Sequence, residues 1–388
     1  MDYELTDAHK LIRDTARRIA RERVAPRAAA IDEEGEYPHD VFALFREAGF
    51  TGLTIPPEYG GSGAGFLAMA LAVEETAKYC CSSGLMIMLS ALFTQPIVIG
   101  GTKDQKEAWL PRSAAGEVRG AFCLTEPNVG SDAGALESRA QRDGDEYVID
   151  GEKSFISNGS IADFVIVFAR VDGQAGPRGI SGFIVPTDSP GFSVARLDRK
   201  MGVTGVPTAD LVFQTCRVPV GNLLGKEEGR GFRTAMLTLN CCRPLVGARG
   251  LGLAEGCLAY AIDFARQRRT FGRPILEHQA IQFLLADMAI MAEAARHLVY
   301  HAAWLVDQGK YERQYAPYLS AAKTFASEAA VKASSDALQI LGAQGYMKDH
   351  PIERHYRDAR QLMIVEGTSQ IQRLVIARAL AEGDITYW

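Results

Sequence analysis

Residues 364–373 read Ile364-Val365-Glu366-Gly367-Thr368-Ser369-Gln370-Ile371-Gln372-Arg373. One carboxylate stands between an apolar pair and a glycine, just ahead of a plausible helix start. Ile364 and Val365 are expected to dry the carboxylate and raise its pKa toward that of a useful base. Gly367 leaves backbone open to close approach by a ligand, because it has no side chain. Ser369 with Gln372 three residues on fits a capping box, which would begin a helix there and leave free N–H groups near the acid. Acids also decorate helix N-termini for electrostatic reasons alone. The choice between base and ornament rests on the rest of the chain.

The chain has 388 residues, 47% hydrophobic and 23% charged, with a net charge of −5. That length allows two or three domains, the composition is that of a globular protein, and the charge gives no reason to expect nucleic-acid binding. The seven cysteines include two adjacent pairs and no CxxC, which suggests reduced, buried thiols and neither a disulfide frame nor a zinc site. No apolar run approaches the ~18 residues of a membrane span, so no membrane is expected. The arginine-rich start (Arg13, Arg17, Arg18, Arg21, Arg23, Arg27) is interleaved with Asp2, Glu4, Asp7, Asp14 and Glu22, unlike a transit peptide. A cytoplasmic protein, or a processed organellar matrix form, is the expectation.

Three zones follow one another. Residues 1–120 carry helical periodicity, residues 121–228 hold short β-rich runs between Gly, Asp, Asn and Pro clusters, and residues 229–388 return to long amphipathic helices, expected at 232–266, 279–307, 314–342 and from 369. The order implies an α+β protein: a helical domain, a central antiparallel β domain and a C-terminal bundle of four helices. No GxGxxG marks a nicotinamide-binding Rossmann unit. Gly61, Gly63 and Gly65 read as a turn.

The segment around Glu366 resembles the catalytic glutamate motif of the acyl-CoA dehydrogenases, flavoenzymes that desaturate acyl-CoA thioesters. Other segments resemble that family in the same order. Phe122-Cys123-Leu124-Thr125-Glu126-Pro127-Asn128-Val129-Gly130-Ser131 is similar to its flavin-contacting loop. The resemblance implies that Phe122, Leu124 and Thr125 line the flavin, and that Gly130 and Ser131 lie where cofactor and thioester meet. In Lys153-Ser154-Phe155-Ile156-Ser157, Phe155 and Ser157 stand two apart on a strand and so share a face. Family members often carry tryptophan and threonine at those two places; with Ile156 they are expected at the flavin.

Arg266-Gln267-Arg268-Arg269-Thr270-Phe271-Gly272 resembles a family motif that reaches the FAD of a neighbouring subunit. It implies that Arg268, Thr270, Phe271, Ile275, His278 and Gln279 contact FAD in trans, guanidinium forks being suited to a diphosphate. Gln339, Ile340 and Gly342 resemble the segment near the adenine half of FAD, although Gly342 and Gly345 also suit a helix cap. Thr368 and Gln370 fall to the cofactor by the same likeness. Ser131, Gly367, Asn240 and Arg243 fall to the substrate, Arg243 at its CoA part. Some subfamilies place the catalytic glutamate immediately before that arginine; Cys242 stands there, which leaves Glu366 as the base.

The implied reaction is removal of an α-proton by Glu366 with hydride transfer to flavin N5, giving a trans-2-enoyl-CoA. Electrons would pass to an electron-transfer flavoprotein, and the expected assembly is a homotetramer. A dioxygen-using oxidase, a dehydrogenase of carrier-protein thioesters and a non-catalytic scaffold remain open as alternatives. The scaffold is disfavoured by the joint presence of Glu366, Thr125, Ser157 and Arg268. The acyl tail is expected against Leu89 to Gln95, Leu239 and Val365. Val365 replaces the tyrosine of many relatives and would leave room for a branched or cyclic group.

Overall fold

The computed structural model describes residues 5–171 and 176–383; Asp2 and Glu4 lie outside the described residues. The first helices are α1 (Asp7–Ile19), α2 (Ala28–Glu34), α3 (His39–Glu47), α4 (Gly65–Ala77), α5 (Cys81–Gly100) and α6 (Lys103–Ala114). Strands β1 (Gly120–Cys123), β2 (Arg139–Asp143), β3 (Glu146–Ser157), β4 (Phe164–Val171), β5 (Ile180–Pro186), β6 (Phe192–Leu197) and β7 (Thr208–Pro219) follow. Next come α7 (Gly231–Gln267), the small hairpin β8 (Arg269–Thr270) and β9 (Arg273–Pro274), α8 (Gln279–Asp307) and α9 (Ala316–Leu341). The last helices are α10 (Ile352–Leu362) and α11 (Ser369–Glu382).

The helix–strand–helix order agrees with the expected α+β class, and the four long helices begin and end within two residues of their expected bounds where bounds were given. α10 was not foreseen as a helix. Its inward face is polar, with Arg354, His355 and Asp358 buried beside Ile352, Ala359 and Leu362, so an apolar stripe never announces it. As expected, the Tyr356–Arg360 segment serves packing and charge pairing: Arg357 grips Asp32 at 2.6 Å and Glu353 at 2.8 Å.

The sheet runs β1-β4-β2-β3-β7-β6, with β5 also paired to β4. It is mixed, which corrects the purely antiparallel expectation: β4 pairs in parallel with both β1 and β2. β4 is apolar on both faces, the mark of a strand covered on both sides. The helices before and after the sheet share one apolar core, in which Met69 and Val73 of α4 and Met88 of α5 join Leu245 and Val246 of α7 and Ala326 of α9. α9 lies at the centre of the C-terminal helices and packs on α7, α8, α10 and α11.

The expectation about membrane-length runs also needs correction. α5 and α7 both have the length and hydropathy of a membrane span. In α5, 83% of the most apolar window is buried inside the protein, and it is apolar all round because helices surround it.

Candidate active site

Glu366 sits in the turn between α10 and α11. The carbonyl of Gln361 accepts from the Ile364 and Val365 N–H groups at 2.9 and 3.1 Å, and Ser369 N–H donates to Met363 O at 2.9 Å. The chain reverses through two left-handed residues, Glu366 at φ 52° and Gly367 at φ 91°. A side chain on Gly367 would be strained by that φ and would also meet Gln372 Nε2 at 2.6 Å. The glycine therefore serves the turn itself, and not only the approach of a ligand.

The helix cap differs from the expected one. Thr368 is the N-cap and accepts from Ile371 N–H, while Ser369 is already helical and buried. Gln372 turns back, and its Nε2 donates to the carbonyls of Glu366 at 3.1 Å and Gly367 at 3.0 Å. Lys323, fully buried on α9, adds a third hold through Nζ to Gly367 O at 2.9 Å. The Glu366 N–H makes no backbone hydrogen bond among the described residues and so remains available as a donor.

The carboxylate is drier than its residue. Glu366 as a whole is half-buried, yet Oε2 is fully enclosed and has no hydrogen-bond partner. Burial pushes the carboxyl up to about 7, against the opposing pull of Arg249, Lys323 and Arg243. The drying does not come from Ile364, which is 54% exposed in the isolated chain. Val365 is half-buried on the helical core.

Helices α7 and α9 supply the cations. Arg243 is buried beside Glu366 and donates to Ser320 Oγ at 3.1 Å; burial lowers its pKa to about 10, with Glu366 opposing the shift. Arg243 thus acts on the base, a role the sequence reading did not give it. Asn240 spends its side-chain amide on Tyr311 O at 2.8 Å. Cys242 is fully buried, and its thiol is held well above the ordinary range by burial and then by Glu366. It is a neutral neighbour of the base, not a nucleophile. Lys323 and Arg249 were missed in the sequence, although each interrupts a run of small or apolar residues, Ser320-Ala321-Ala322-Lys323 and Gly247-Ala248-Arg249-Gly250.

The expected flavin segments meet at the edge of the sheet. Thr125 O accepts from Ser154 N–H at 2.9 Å, which brings the loop after β1 against the end of β3. Beneath them lies a buried ion pair, Lys153 Nζ to Glu126 Oε1 at 2.7 Å. Lys153 also donates to Phe168 O at 2.7 Å, and Glu126 accepts from the Glu137 and Ser138 N–H groups at 2.6 and 3.0 Å. This pair was likewise missed; it fixes both segments relative to one another. A register break between Lys153 and Ile156 goes with Phe155 at φ 60°, a residue 64% exposed. Ser157, two residues on, is half-buried, as are Phe122 and Thr125, while Gly130 and Ser131 are exposed.

An exposed aromatic face flanked by hydroxyls fits a flavin ring. Three of the residues expected to contact FAD, Ile156 at the ring, Ile275 in trans and Ile340 near the adenine half, have their side chains in apolar cores. Leu124 is buried too, against the other face of the sheet. The β8–β9 hairpin stands exposed at the joint of α7 and α8, with Arg268 and Gln279 exposed and Phe271 at 95%. His278 contacts Thr270 Oγ1 and Arg273 Nη2, each at 3.2 Å, and so shapes the hairpin. Gly342, at φ 62°, caps α9, and Gln339 beside it is exposed; Gln370 is exposed and Thr368 half-buried on the turn that carries Glu366.

Comparison with known proteins follows the same division of the chain. Residues 6–117, 121–216 and 229–381 match, in order, the N-terminal, middle and C-terminal domains of acyl-CoA dehydrogenase. The chain belongs to the acyl-CoA dehydrogenase family. It is 43% identical over 380 residues to cyclohexane-1-carbonyl-CoA dehydrogenase of Geobacter metallireducens, covering 97% of this chain and 98% of that protein. Among solved structures, butyryl-CoA dehydrogenase from Megasphaera elsdenii superposes with a TM-score of 0.95 at 40% identity, covering 98% of this chain and 100% of that one. A chain in a structure described as the electron transferring flavoprotein of Acidaminococcus fermentans also gives 0.95, at 43% identity, covering 98% and 99%. This acyl-CoA dehydrogenase is thus an oxidoreductase acting on CH–CH groups, of a flavin-dependent family.

Proposed function

We propose that the chain desaturates an acyl-CoA thioester between Cα and Cβ, with Glu366 as the base that takes the α-proton. The observation that carries this reading is the Glu366 carboxylate. Its Oε2 is enclosed and unpartnered, and its pKa is brought to about 7 by burial. A carboxylate poised near neutrality is strong enough to accept a proton and ionised enough to be ready. FAD, when bound, supplies the two-electron acceptor at N5 for the β-hydrogen.

The protein's own part is positional and electrostatic. The free Glu366 N–H is suited to donate to the thioester carbonyl as negative charge grows there, which lowers the cost of losing the α-proton. Lys323 and Gln372 hold the carbonyls of the same turn, so that donor and base move as one unit. As the Cα–H proton goes to Glu366, the β-hydrogen leaves with its electron pair and the trans double bond forms. Phe155, Ser157, Thr125 and Phe122 are the residues that would hold the flavin ring. Arg268, Thr270, Phe271 and Gln279 would hold the FAD of a second copy in a homotetramer, a reading supported by the exposure of the hairpin. An electron-transfer flavoprotein as electron acceptor is supported by the likeness to a chain in such a protein's structure.

The test is an anaerobic visible spectrum of the purified protein before and after addition of an acyl-CoA panel. Bleaching of a bound flavin band by wild type, and its loss in Glu366→Gln with the flavin retained, is the expected result. A near wild-type bleaching rate in the variant overturns the role of Glu366.

A further inference from the structure

Residues 242, 246 and 249 recur on α7 at the i, i+4, i+7 spacing that lines one face of a helix. Cys242 and Val246 are fully buried and Arg249 is 1% exposed. Cys242 lies next to Glu366, and Arg249 stands two turns further along, about 10 Å by the helical rise. The stripe thus leads from the base to a guanidinium.

That guanidinium is poorly satisfied. Arg249 Nη2 donates to Gln361 Oε1 at 2.9 Å and meets Cys81 Sγ at 3.3 Å; Nη1 reaches Met88 Sδ at 3.9 Å. Sulfur is a weak acceptor, so five N–H groups have one good oxygen between them. Nε has no partner at all. Among the described residues, no carboxylate lies within the 4.0 Å of an ion pair with Arg249. An isolated buried cation is costly and persists only where something compensates it.

The surroundings compensate it only at a distance. Arg243, Arg249 and Lys323 all act on the carboxylate of Glu366, and on its other side Arg249 shares its surroundings with Lys200 and Asp358, so no carboxylate belongs to Arg249 alone. Two of the three contacts of Arg249, Cys81 and Met88, lie on α5, the helix expected to flank the acyl tail. The third, Gln361, belongs to the residue whose carbonyl starts the Glu366 turn. We propose that Arg249 closes the far end of the acyl chamber and binds a carboxylate at the distal end of the acyl group, so that dicarboxylic acyl-CoA thioesters are the preferred substrates. The fork of Nε and Nη suits the two oxygens of a carboxylate. This rests on the reading of Glu366 as the base acting on a thioester.

The experiment compares glutaryl-, adipyl- and pimeloyl-CoA with pentanoyl-, hexanoyl- and heptanoyl-CoA by anaerobic flavin reduction, in wild type, Arg249→Gln and Arg249→Lys. Expected is a higher kcat/KM for the dicarboxylic member of at least one length-matched pair. Arg249→Gln should lower that ratio by about 10- to 100-fold, as expected for losing a charge-assisted hydrogen bond, and Arg249→Lys should restore part of it. Flavin content and melting temperature show whether the variants are folded, and the wild-type comparison needs no variant. Preference for the monocarboxylic partner at every length overturns the proposal. So does an equal loss on both series in Arg249→Gln, which would make the residue a tuner of Glu366 alone. If only monocarboxylic thioesters bleach the flavin, this inference fails while the proposed function stands; if none of either series does, the proposed function itself is in question.

Discussion

Replacing Lys323 with methionine separates the base from the charges that tune it. Lys323 is fully buried and touches the turn through Gly367 O at 2.9 Å, but it makes no direct ion pair with Glu366. Beyond the 4.0 Å of an ion pair, and at an effective dielectric constant of about 20, the attraction stays below about 4 kcal/mol. About a third of that bound, after distance and screening by the neighbouring charges, is about one pKa unit. The rising limb of the flavin-reduction rate should then move from about pH 7 in wild type to about pH 8 in Lys323→Met. At pH 7 the ionised fraction of Glu366 falls from about one half to about one eleventh, a rate loss of about fivefold. Above pH 9 the two proteins should converge. Glu366 is then ionised in both, and the wild-type amine, lowered to about 8 mainly by burial, has also lost its charge.

The stability of the same variant guards against a trivial explanation. The Lys323 amine has a folded pKa below its unfolded value, so the native state is penalised while the group is charged, below about pH 8. Stability is regained as pH rises from about 8 toward 10.5, the range in which only the unfolded chain holds the proton. Methionine removes a penalty on the order of 3 kcal/mol at pH 7 and gives up one hydrogen bond of about 1 kcal/mol. Gly367 O keeps its bond from Gln372 at 3.0 Å. Lys323→Met should therefore melt at or above the wild-type temperature at pH 7. Stopped-flow reduction from pH 5.5 to 9.5 with one good substrate reads the limb. An unmoved limb, or a loss equal at every pH, refutes the electrostatic account.

Glu366→Gln should abolish substrate-driven flavin reduction by at least about a thousandfold. It should also stabilise the fold at pH 8: the carboxyl is raised from 4.5 to about 7, so wild type loses up to about 3 kcal/mol as pH rises through that window, and the gain should vanish near pH 4 in thermal melts. Lys153→Met leaves Glu126 charged and unpaired under the flavin shelf; a loss of about 3–5 kcal/mol by denaturant titration and a lower flavin content are expected. Gly367→Ala forces a Cβ into φ 91° and against Gln372, and should cost about 1–3 kcal/mol and most of the turnover, with Ala at exposed Gly221 as a harmless control.

The outline of the fold was legible because apolar period and turn residues are local signals. Long helices such as α8 and α9 could be bounded at 279–307 and 314–342 from such signals, against 279–307 and 316–341 in the fold. What escaped was set by partners distant in sequence. α10 hides because its buried face carries Arg354 and Asp358, whose burial makes sense only once Val203 N–H donates to Asp358. The parallel pairing of β1 with β4 is invisible in strands that are apolar on both faces. The cap at Thr368 was misassigned because Thr368 and Ser369 both suit it; the left-handed pair Glu366–Gly367 decides which hydroxyl meets the helix.

The site shows the same split, and its cause explains how the base works. A motif can name Glu366, but its basicity depends on where the charges stand. Had Arg243, Arg249 or Lys323 closed to ion-pair distance, the carboxylate would be held well below the ordinary range and would make a poor proton acceptor. With no cation nearby, burial alone would leave it protonated at neutral pH. The protein sets the cations around Glu366 without contact, each anchored elsewhere: Arg243 on Ser320, Arg249 on Gln361 and Lys323 on Gly367 O. Attraction at that range offsets part of the desolvation and leaves a pKa of about 7. Those anchors lie on α9, on α10 and in the turn after it, so the tuning of the base is a property of the packed helices and is written in no single stretch of the sequence.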